Sequence, residues 1–493
     1  MKSRLFAAIA LALAVATPNT AAGPARGDAG AGKLDRALRD GLKTDAGASH
    51  RIIVRVRPGA EAAVRRLIET QGGQVTDQYP ALAAIAGDAS NSQITEMAGN
   101  ADVLSISSDP VVTAFRTPGF NPQQWRSRLR PQPVPPGTAS PLRATLGLPA
   151  TVDPSAPGGA LTGAGIGVAL IDSGLAPSPD FWGRITAFYD LTGGRMVATA
   201  PYDDFGHGTQ VAGLIGSSGV LSALEYEGVA PNVHFAVFKV LDKHGQGLTS
   251  TVISALQYVT AHKNELGVQI VNLSLGHPIL EPAASDPLVQ AVQQAVQAGL
   301  IVVTAAGNFG TNPTTNQTGY AGITSPGNAP GAITVGAVMT QNTVTRDDDR
   351  VAPYSSRGPS WYDGYAKPDV VAPGHELVSD GAWNSALFNQ LSRDHVRAIT
   401  GRLFLRLSGT SMSTAVTTGV VALMLEAHQR LAPSAGAPPL TPNLVKAILQ
   451  YSAIPVHDDS GATYDALTEG TGQINAAGAT VLASAIDTTR ATG

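Results

Sequence analysis

The most chemically suggestive stretch of the sequence is a serine at the point where a turn of small residues enters an apolar segment. Ser411 lies within Ser408–Thr414 and precedes the apolar run 415–425, which predicts a helix. A hydroxyl at a helix N-terminus lies close to unpaired backbone N–H groups and to the positive end of the helix dipole. Both stabilise the negative charge that develops when the hydroxyl attacks a carbonyl. Taken alone, the segment is more typical of an ordinary helix N-cap.

Two upstream segments supply the partners that a serine nucleophile needs. Asp172 ends the apolar run 166–171, which predicts a buried parallel strand with a carboxylate at its carboxyl end, where open α/β sheets place their sites. His207 stands between Gly206 and Gly208 at the predicted start of a helix. Taken singly, the aspartate is also explained as a turn residue and the histidine as a capping or core residue. Together with the serine they favour a catalytic set.

Three blocks of the sequence resemble the signature blocks of subtilisin-like serine proteases. They are Asp172-Ser173-Gly174, His207-Gly208-Thr209 and Gly409-Thr410-Ser411-Met412. Their order along the chain matches the Asp, His, Ser order of subtilisin. Four further blocks agree with the family: Val271–Gly276, Ala305–Asn308, Ser355–Pro359 and Lys367–Gly374. The resemblance covers roughly residues 145–480.

This resemblance implies a serine-type endopeptidase that hydrolyses peptide bonds through an acyl-enzyme. Ser411 would be the nucleophile, and His207 the base that takes its proton and later protonates the leaving amine. Asp172 would fix the imidazole tautomer and stabilise the imidazolium. The Asn308 side chain and the Ser411 backbone N–H would form the oxyanion hole.

The resemblance also implies that a protein or peptide substrate binds as an added extended strand. The matching segments are two walls of three residues each: Gly245, Gln246 and Gly247 on one side, and Ser274, Leu275 and Gly276 on the other. His277 stands where relatives often carry a small residue. The chemistry needs no cofactor. A structural calcium ion is a further expectation, with Asp180 as a weak candidate ligand, because the partner loop 217–227 lacks the expected asparagine.

Composition and the N-terminus indicate an exported protein. The chain has 493 residues, 14% of them charged, a formal net charge of −4 and no cysteine. The charge balance does not suggest a nucleic-acid partner, and a thiol nucleophile is excluded. Lys2 and Arg4 precede the apolar run 5–16, and this pattern predicts a secretory signal peptide over residues 1–22. The run is shorter than the roughly 20 residues of a membrane span, so we expect no membrane anchor after signal cleavage, in an extracellular or periplasmic location.

The region between the signal peptide and the catalytic domain predicts a small α+β unit. After an expected linker over 23–48, residues 49–114 show a β-α-β-β-α-β pattern, which is typical of a compact ferredoxin-like fold. By itself this unit fits any small binding module. Ahead of this catalytic domain it resembles the family's propeptide, which acts as an intramolecular inhibitor. Residues 115–144 are proline-rich and predict an exposed linker suited to maturation cleavage.

Residues 145–480 are expected to form the catalytic domain, and 481–493 a C-terminal tail. Apolar strand patterns alternate there with amphipathic helix patterns, which predicts an α/β fold with a mostly parallel sheet covered by helices on both faces. The predicted strands cover 166–171, 233–240, 270–275, 300–305 and 332–338, and the predicted helices include 209–215, 250–263 and 287–297.

Two other functions remain open from the sequence. A non-catalytic exported scaffold could keep the fold without the chemistry; the complete set Asp172, His207, Ser411 and Asn308 argues against it. An esterase or lipase of the α/β-hydrolase kind would place its nucleophile first, within Gly-x-Ser-x-Gly, whereas here the serine comes last.

Overall fold

The structure is a computed structural model that describes residues 31–44, 48–70, 72–114, 141–149, 160–312, 314–431 and 438–489. The predicted signal peptide and most of the predicted proline-rich linker lie outside these residues. Within them, no helix is both long and apolar enough to cross a membrane.

Residues 31–108, here called the N-terminal module, form an antiparallel sheet with helices packed against it. The sheet order is β2-β3-β1-β4, and the order of strands and helices over 49–108 agrees with the predicted β-α-β-β-α-β pattern. The elements are β1 (Ser49–Val56), α2 (Glu61–Thr70), β2 (Gln74–Tyr79), β3 (Ala84–Ser90), α3 (Asn91–Gly99) and β4 (Val103–Ser108). Helix α3 begins with a capping box, in which Ser90 and Gln93 bond each other's backbone N–H.

The start of the module differs from the expected linker over 23–48. Residues Ala31–Lys33 form a 3₁₀ turn and α1 spans Arg36–Thr44. Asp35 is buried and accepts hydrogen bonds from the backbone N–H groups of Leu38 (2.7 Å) and Ser108 (2.6 Å). Asp35 therefore caps α1 and also bonds the end of β4 at Ser108. The local composition does not reveal this second partner.

The catalytic region is built on a nine-stranded sheet, with order β16-β15-β13-β11-β6-β9-β7-β8 and β17 paired to β15. Strands β6, β7, β9, β11, β13, β15 and β17 run parallel, whereas the short β8 and β16 are antiparallel. The strands are β6 (Gly167–Asp172), β7 (Ile185–Asp190), β8 (Val197–Ala198), β9 (His234–Lys239), β11 (Val268–Leu273), β13 (Ile301–Ala305), β15 (Ile333–Met339), β16 (Arg350–Val351) and β17 (Val370–Pro373).

Helices cover both faces of this sheet, as the sequence predicts. On β6, Val168 and Leu170 belong to the hydrophobic core on one face, and Ala169 and Ile171 to the core on the other. The first core contains α5 (His207–Gly216) and α9 (Thr410–Leu431), and the second contains α6 (Thr249–Leu266) and α7 (Pro287–Gln297). Because both faces of β6 are buried, the strand is apolar throughout instead of alternating.

A second, four-stranded sheet joins residues that are far apart in sequence. Its order is β10-β5-β12-β14, with β5 (Val111–Ala114) directly after the N-terminal module. The other strands are β10 (Gln246–Leu248), β12 (Leu275–Pro278) and β14 (Thr324–Ser325). All pairs are antiparallel. Strand β5 was not expected as a separate element.

The described limits of the catalytic region extend beyond 145–480 at both ends. Helix α4 (Pro141–Thr145) starts earlier, and Leu142 and Leu146 belong to the main core. Helix α12 (Ala476–Ala485) continues past 480. The remaining elements are β18 (Leu377–Ser379), α8 (Ala386–Gln390), β19 (His395–Arg397), β20 (Leu403–Leu407), α10 (Pro442–Ser452) and α11 (Ala466–Glu469).

Candidate active site

The predicted base, His207, lies in direct contact with the carboxylate predicted to orient it, Asp172. Asp172 is the last residue of β6 and His207 the first residue of α5, and Nδ1 of the imidazole lies 2.8 Å from the carboxylate Oδ1. Both residues are buried, with 0% and 4% of their surface exposed. Because an ionised carboxylate can only accept, Nδ1 carries the proton in this pair and Nε2 of the neutral ring keeps its lone pair. That is the tautomer of a general base.

The predicted nucleophile lies one residue inside α9. Ser411 Oγ donates to the carbonyl oxygen of Ser274 at 3.0 Å, and the Ser274 hydroxyl donates in return to the Ser411 carbonyl at 3.0 Å. His207 Nε2 has no hydrogen-bond partner among the described residues. In the structure, therefore, the Ser411 hydroxyl is hydrogen-bonded to the Ser274 carbonyl oxygen. Catalytic hydrogen bonds are often formed only once substrate is bound.

The predicted oxyanion-hole amide is oriented by the residue that precedes the nucleophile. Asn308 Oδ1 accepts from the backbone N–H of Thr410 (3.0 Å) and from its hydroxyl (3.1 Å). A backbone N–H only donates, so the atom facing it is the amide oxygen, and Nδ2 is the donor end of this side chain. Sequence reasoning predicted Asn308 and missed Thr410.

A buried carboxylate, Asp203, links the turn after Asp172 to the helix that begins with His207. The sequence analysis did not single out this residue. Asp203 Oδ1 accepts from Ser173 Oγ (2.9 Å) and Gly206 N (2.7 Å). Its Oδ2 accepts from the backbone N (2.9 Å) and hydroxyl (2.7 Å) of Thr209. Burial raises the pKa of Asp203, whereas these hydrogen bonds oppose the rise. Asp203 therefore fixes the residue after Asp172 to the first turn of the helix that carries His207.

A buried lysine, Lys239, also bonds the turn that follows Asp172. Lys239 Nζ donates to the carbonyl oxygens of Ser173 (2.7 Å) and Leu241 (2.8 Å) and to Asp204 Oδ1 (2.6 Å). The ammonium group thus gains three acceptors in place of water, which a buried charge requires. In the sequence it is only one polar residue at the end of an apolar strand.

The two predicted substrate walls flank β5. On one side Gln246 pairs with Thr113 and Gly247 with Val112. On the other, Leu275 pairs with Ala114 and Gly276 with Thr113. Ala114 N also donates to Gly245 O at 3.1 Å. A segment of the same chain therefore occupies the groove as an added strand.

The surroundings of Asp180 supply hydrogen-bond donors and one further carboxyl group, that of Asp380. Its buried Oδ1 accepts from the Ser218 hydroxyl (3.1 Å) and from Leu221 N (3.1 Å), and the Arg184 guanidinium donates to its carbonyl oxygen. Among the described residues, no cluster of three or more His, Asp or Glu side chains is placed to hold a metal. A structural calcium ion, with Asp180 as its weak candidate ligand, stays a prediction.

Comparisons with known proteins give consistent matches. Residues 163–478 match the model of the subtilase family, Peptidase_S8. The chain is 37% identical to serine protease AprX of Bacillus subtilis, over 65% of this chain and 67% of that protein. It is 31% identical to the extracellular serine proteinase of a Thermus species, over 80% of each. Fervidolysin from Fervidobacterium pennivorans, described as a keratinolytic enzyme related to subtilisin, shares the fold with a TM-score of 0.63 at 20% identity, over 88% of this chain and 61% of that one.

We expect Asp203→Ala to lower kcat by about 10- to 100-fold with a much smaller change in KM. The loss of the carboxylate frees the start of α5, and a small misplacement of a catalytic group costs rates of this order. Steady-state kinetics on a peptide substrate would measure the effect, with circular dichroism as a check on folding. The neighbouring Asp204→Ala is the matched control, because Asp204 is half exposed and contacts only Lys239 within this corner. Equal kcat in the parent and Asp203→Ala would contradict the positioning role.

Proposed function

The chain belongs to the subtilase family of serine endopeptidases, and we propose that it is an exported, self-processing enzyme that cleaves polypeptides through an acyl-enzyme on Ser411. The observation that carries the proposal is the buried pair formed by Asp172 and His207, whose Nε2 has no partner among the described residues. The helix that begins with His207 packs in one core with the helix that carries Ser411 in its first turn. Together these residues supply an oriented base and a nucleophile in one site.

The first half of the reaction follows from these roles. In the proposed mechanism the Ser411 hydroxyl turns from Ser274 O to the imidazole, and His207 Nε2 takes the proton as Oγ attacks the scissile carbonyl. Asp172 stabilises the resulting imidazolium through the Nδ1–H bond. The oxyanion receives hydrogen bonds from Asn308 Nδ2 and from the Ser411 backbone N–H.

The second half releases both products. The imidazolium gives its proton to the leaving amine, which leaves the acyl group on Ser411 Oγ. Water then enters, and His207 takes a proton from it as it attacks the acyl carbon. The tetrahedral species collapses, Ser411 regains its proton and the carboxylic acid product leaves.

We further propose that the N-terminal module is the intramolecular inhibitor of the enzyme. Strand β5 lies where a substrate strand would lie, between the walls Gly245–Gly247 and Ser274–Gly276. The module sheet packs on the core of α6 and α7 through side chains such as Ile53 and Tyr79. Main-chain pairing recognises any extended segment, so the groove binds this strand and a substrate by the same bonds.

The module also completes a helix of the catalytic region. Asp109 accepts from the backbone N (2.8 Å) and hydroxyl (2.7 Å) of Ser250, in the first turn of α6. The residue before this helix is Leu248, whose side chain makes no cap. Tyr79 of the module donates to Ser250 O at 2.9 Å. An aspartate that directly follows the module thus takes the place of the missing N-cap.

The register of β5 indicates where maturation would occur. Ala114 pairs with Leu275, one residue from Ser274, whose carbonyl accepts from Ser411 Oγ. A peptide that continues this strand by one or two residues reaches the nucleophile. We therefore propose the first cut within residues 115–117, at the start of the proline-rich linker.

Export rests on the predicted signal peptide over residues 1–22. One relative that is similar over 80% of this chain is named an extracellular serine proteinase. We therefore propose that the enzyme is exported, is not anchored in a membrane and acts on protein or peptide substrates.

We expect Ser411→Ala to abolish proteolysis and to leave an unprocessed precursor that contains residues 49–114. Without the hydroxyl there is no acyl-enzyme, and self-cleavage fails with all other cleavage. Mass spectrometry of the purified chain and labelling with a fluorophosphonate would measure processing and nucleophile activity. Ser413→Ala, two residues further along α9, is the matched control. Maturation of Ser411→Ala expressed alone would show that another protease does the trimming.

Asn308→Ala should lower kcat about 10²- to 10³-fold while KM changes little, because the oxyanion forms only in the transition state. Thr410→Val should give a smaller loss of kcat, since it removes the hydroxyl bond that orients Asn308 and keeps the backbone bond. Kinetics on one peptide substrate would measure both. A proportional rise in KM at constant kcat for Asn308→Ala would place the amide in ground-state binding instead.

A buried carboxyl at the contact with the module predicts pH-dependent release. Glu281 of the catalytic region is buried, and desolvation, together with the nearby charge of Asp286, raises its pKa to about 8. On the module side, Asp35 adds further repulsion, and the nearby Ser107 hydroxyl opposes the rise in this pKa. The Arg55 guanidinium also faces this group. Docking of the module is favoured while Glu281 is neutral. This contribution to docking is complete below the ordinary pKa of 4.5 and is lost as the pH rises through about 8.

We therefore expect self-activation of the full-length chain to speed up several-fold from pH 6 to pH 9, relative to Glu281→Gln. The glutamine variant stays neutral and keeps the module docked at high pH. Time courses of processing and activity at each pH would measure both half-times, and their ratio cancels the pH dependence of the chemistry. A ratio that is constant across pH would contradict a role for Glu281.

A further inference from the structure

The wall strand β12 carries a histidine that faces the bound strand β5. Leu275 pairs with Ala114 and Gly276 with Thr113, so the next position along this register places Val112 opposite His277. Opposite residues of an antiparallel pair share one face of the sheet. Val112, Ala114 and Leu275 are buried in one hydrophobic cluster on this face.

The neighbouring residue positions confirm this assignment of faces. Pro278 and Thr324, which pair with each other, line a cavity of about 320 Å³ together with Phe309 and Trp361. Neither His277 nor its partner across the ladder, Ser325, lines that cavity. Because side chains alternate along a strand, His277 faces the opposite side, where Val112 lies.

The imidazole of His277 is fixed in one tautomer. Only 5% of the residue is exposed, and Nδ1 lies 2.8 Å from the carbonyl oxygen of Pro278. A carbonyl oxygen only accepts, so Nδ1 carries the proton and Nε2 of the neutral ring is an acceptor. Nε2 is buried and has no hydrogen-bond partner among the described residues. Val112, which is fully buried, offers only methyl groups.

We propose that His277 determines specificity: its Nε2 accepts a hydrogen bond from the hydroxyl of a threonine at the substrate position that Val112 takes in the bound strand. Threonine has nearly the shape of valine and therefore fits the same buried space, and it adds the donor that valine lacks. A site with a buried acceptor discriminates against an isostere that leaves this acceptor unpaired. The inference rests on the proposed function, because it treats β5 as a substitute for substrate.

Ser325 offers the competing explanation. Its hydroxyl is fully buried and also has no partner among the described residues, and it lies opposite His277 on the other side of β12. If this hydroxyl donated to Nε2 in solution, the acceptor would already be used and a threonine in the substrate would gain nothing. The two explanations predict different effects of Ser325→Ala.

The test uses two peptides that copy residues 109–118 and differ only in valine or threonine at the position of Val112. With the enzyme purified from the full-length chain, we expect kcat/KM for the threonine peptide to be about tenfold higher. His277→Phe keeps a ring but removes the acceptor, and should bring the ratio near one. His277→Gln offers an amide oxygen and should restore part of the preference. Equal cutting by the parent, or an unchanged ratio in His277→Phe, would overturn the proposal.

Two further measurements keep the outcome decisive. Val112→Thr in the chain itself should lengthen the self-activation half-time several-fold, and this effect should vanish when combined with His277→Phe. Ser325→Ala should leave the threonine preference intact; a preference that arises only in this variant would show that Ser325 occupies Nε2 and would refute the inference. A preparation that cuts no polypeptide and is not labelled by fluorophosphonate would refute the proposed function. Equal cutting of the two peptides would refute only the proposed role of His277.

Discussion

The structure depends on one contact, the hydrogen bond between a carboxylate that ends a strand and an imidazole that begins a helix. Asp172 and His207 are both buried, so the pair has to be held by the protein without help from water. Strand β6 is rigid because both of its faces are packed, and Asp203 ties the turn after it to the first turn of α5. Gly206 permits this approach, since it adopts φ +101° and a Cβ there would lie 2.3 Å from Ser385 Oγ.

The second organising constraint is that the groove is defined by backbone pairing. Strands β10 and β12 each leave an edge that requires a partner, and in this chain β5 supplies it. The same geometry therefore serves docking of the N-terminal module and, in the proposed function, recognition of substrate. Side chains that face the groove, such as His277, can adjust preference without altering this arrangement.

Much of this architecture was predictable because it follows from local patterns. Continuous apolar runs mark the buried parallel strands, and helix α7 begins at Pro287 and ends at Gln297 as expected. The pairing of Asp172 with His207 could also be expected from motif resemblance. The subtilisin-like fold class is confirmed by the family match and the structural comparison.

The features that were missed depend on partners distant in sequence. Helix α1 depends on Asp35 meeting Ser108, and a four-residue strand such as β5 exists only because β10 and β12 flank it. The roles of Asp203 and Thr410 likewise reside in specific hydrogen bonds across the fold. Composition and periodicity report what a segment prefers locally, and they contain no information on which distant donor completes a carboxylate or an amide.

The aspartate that follows the module and caps α6 has a consequence for the lifetime of the separated enzyme. While the chain is intact, Asp109 satisfies donors in the first turn of that helix. In the proposed function, release of the module and β5 removes this cap and withdraws side chains such as Ile53, Tyr79 and Val112 from the second core, which raises the free energy of the folded catalytic region. The first core keeps all of its residues. In the proposed function, the persistence of the released enzyme therefore depends on how slowly it unfolds as well as on its equilibrium with the unfolded chain.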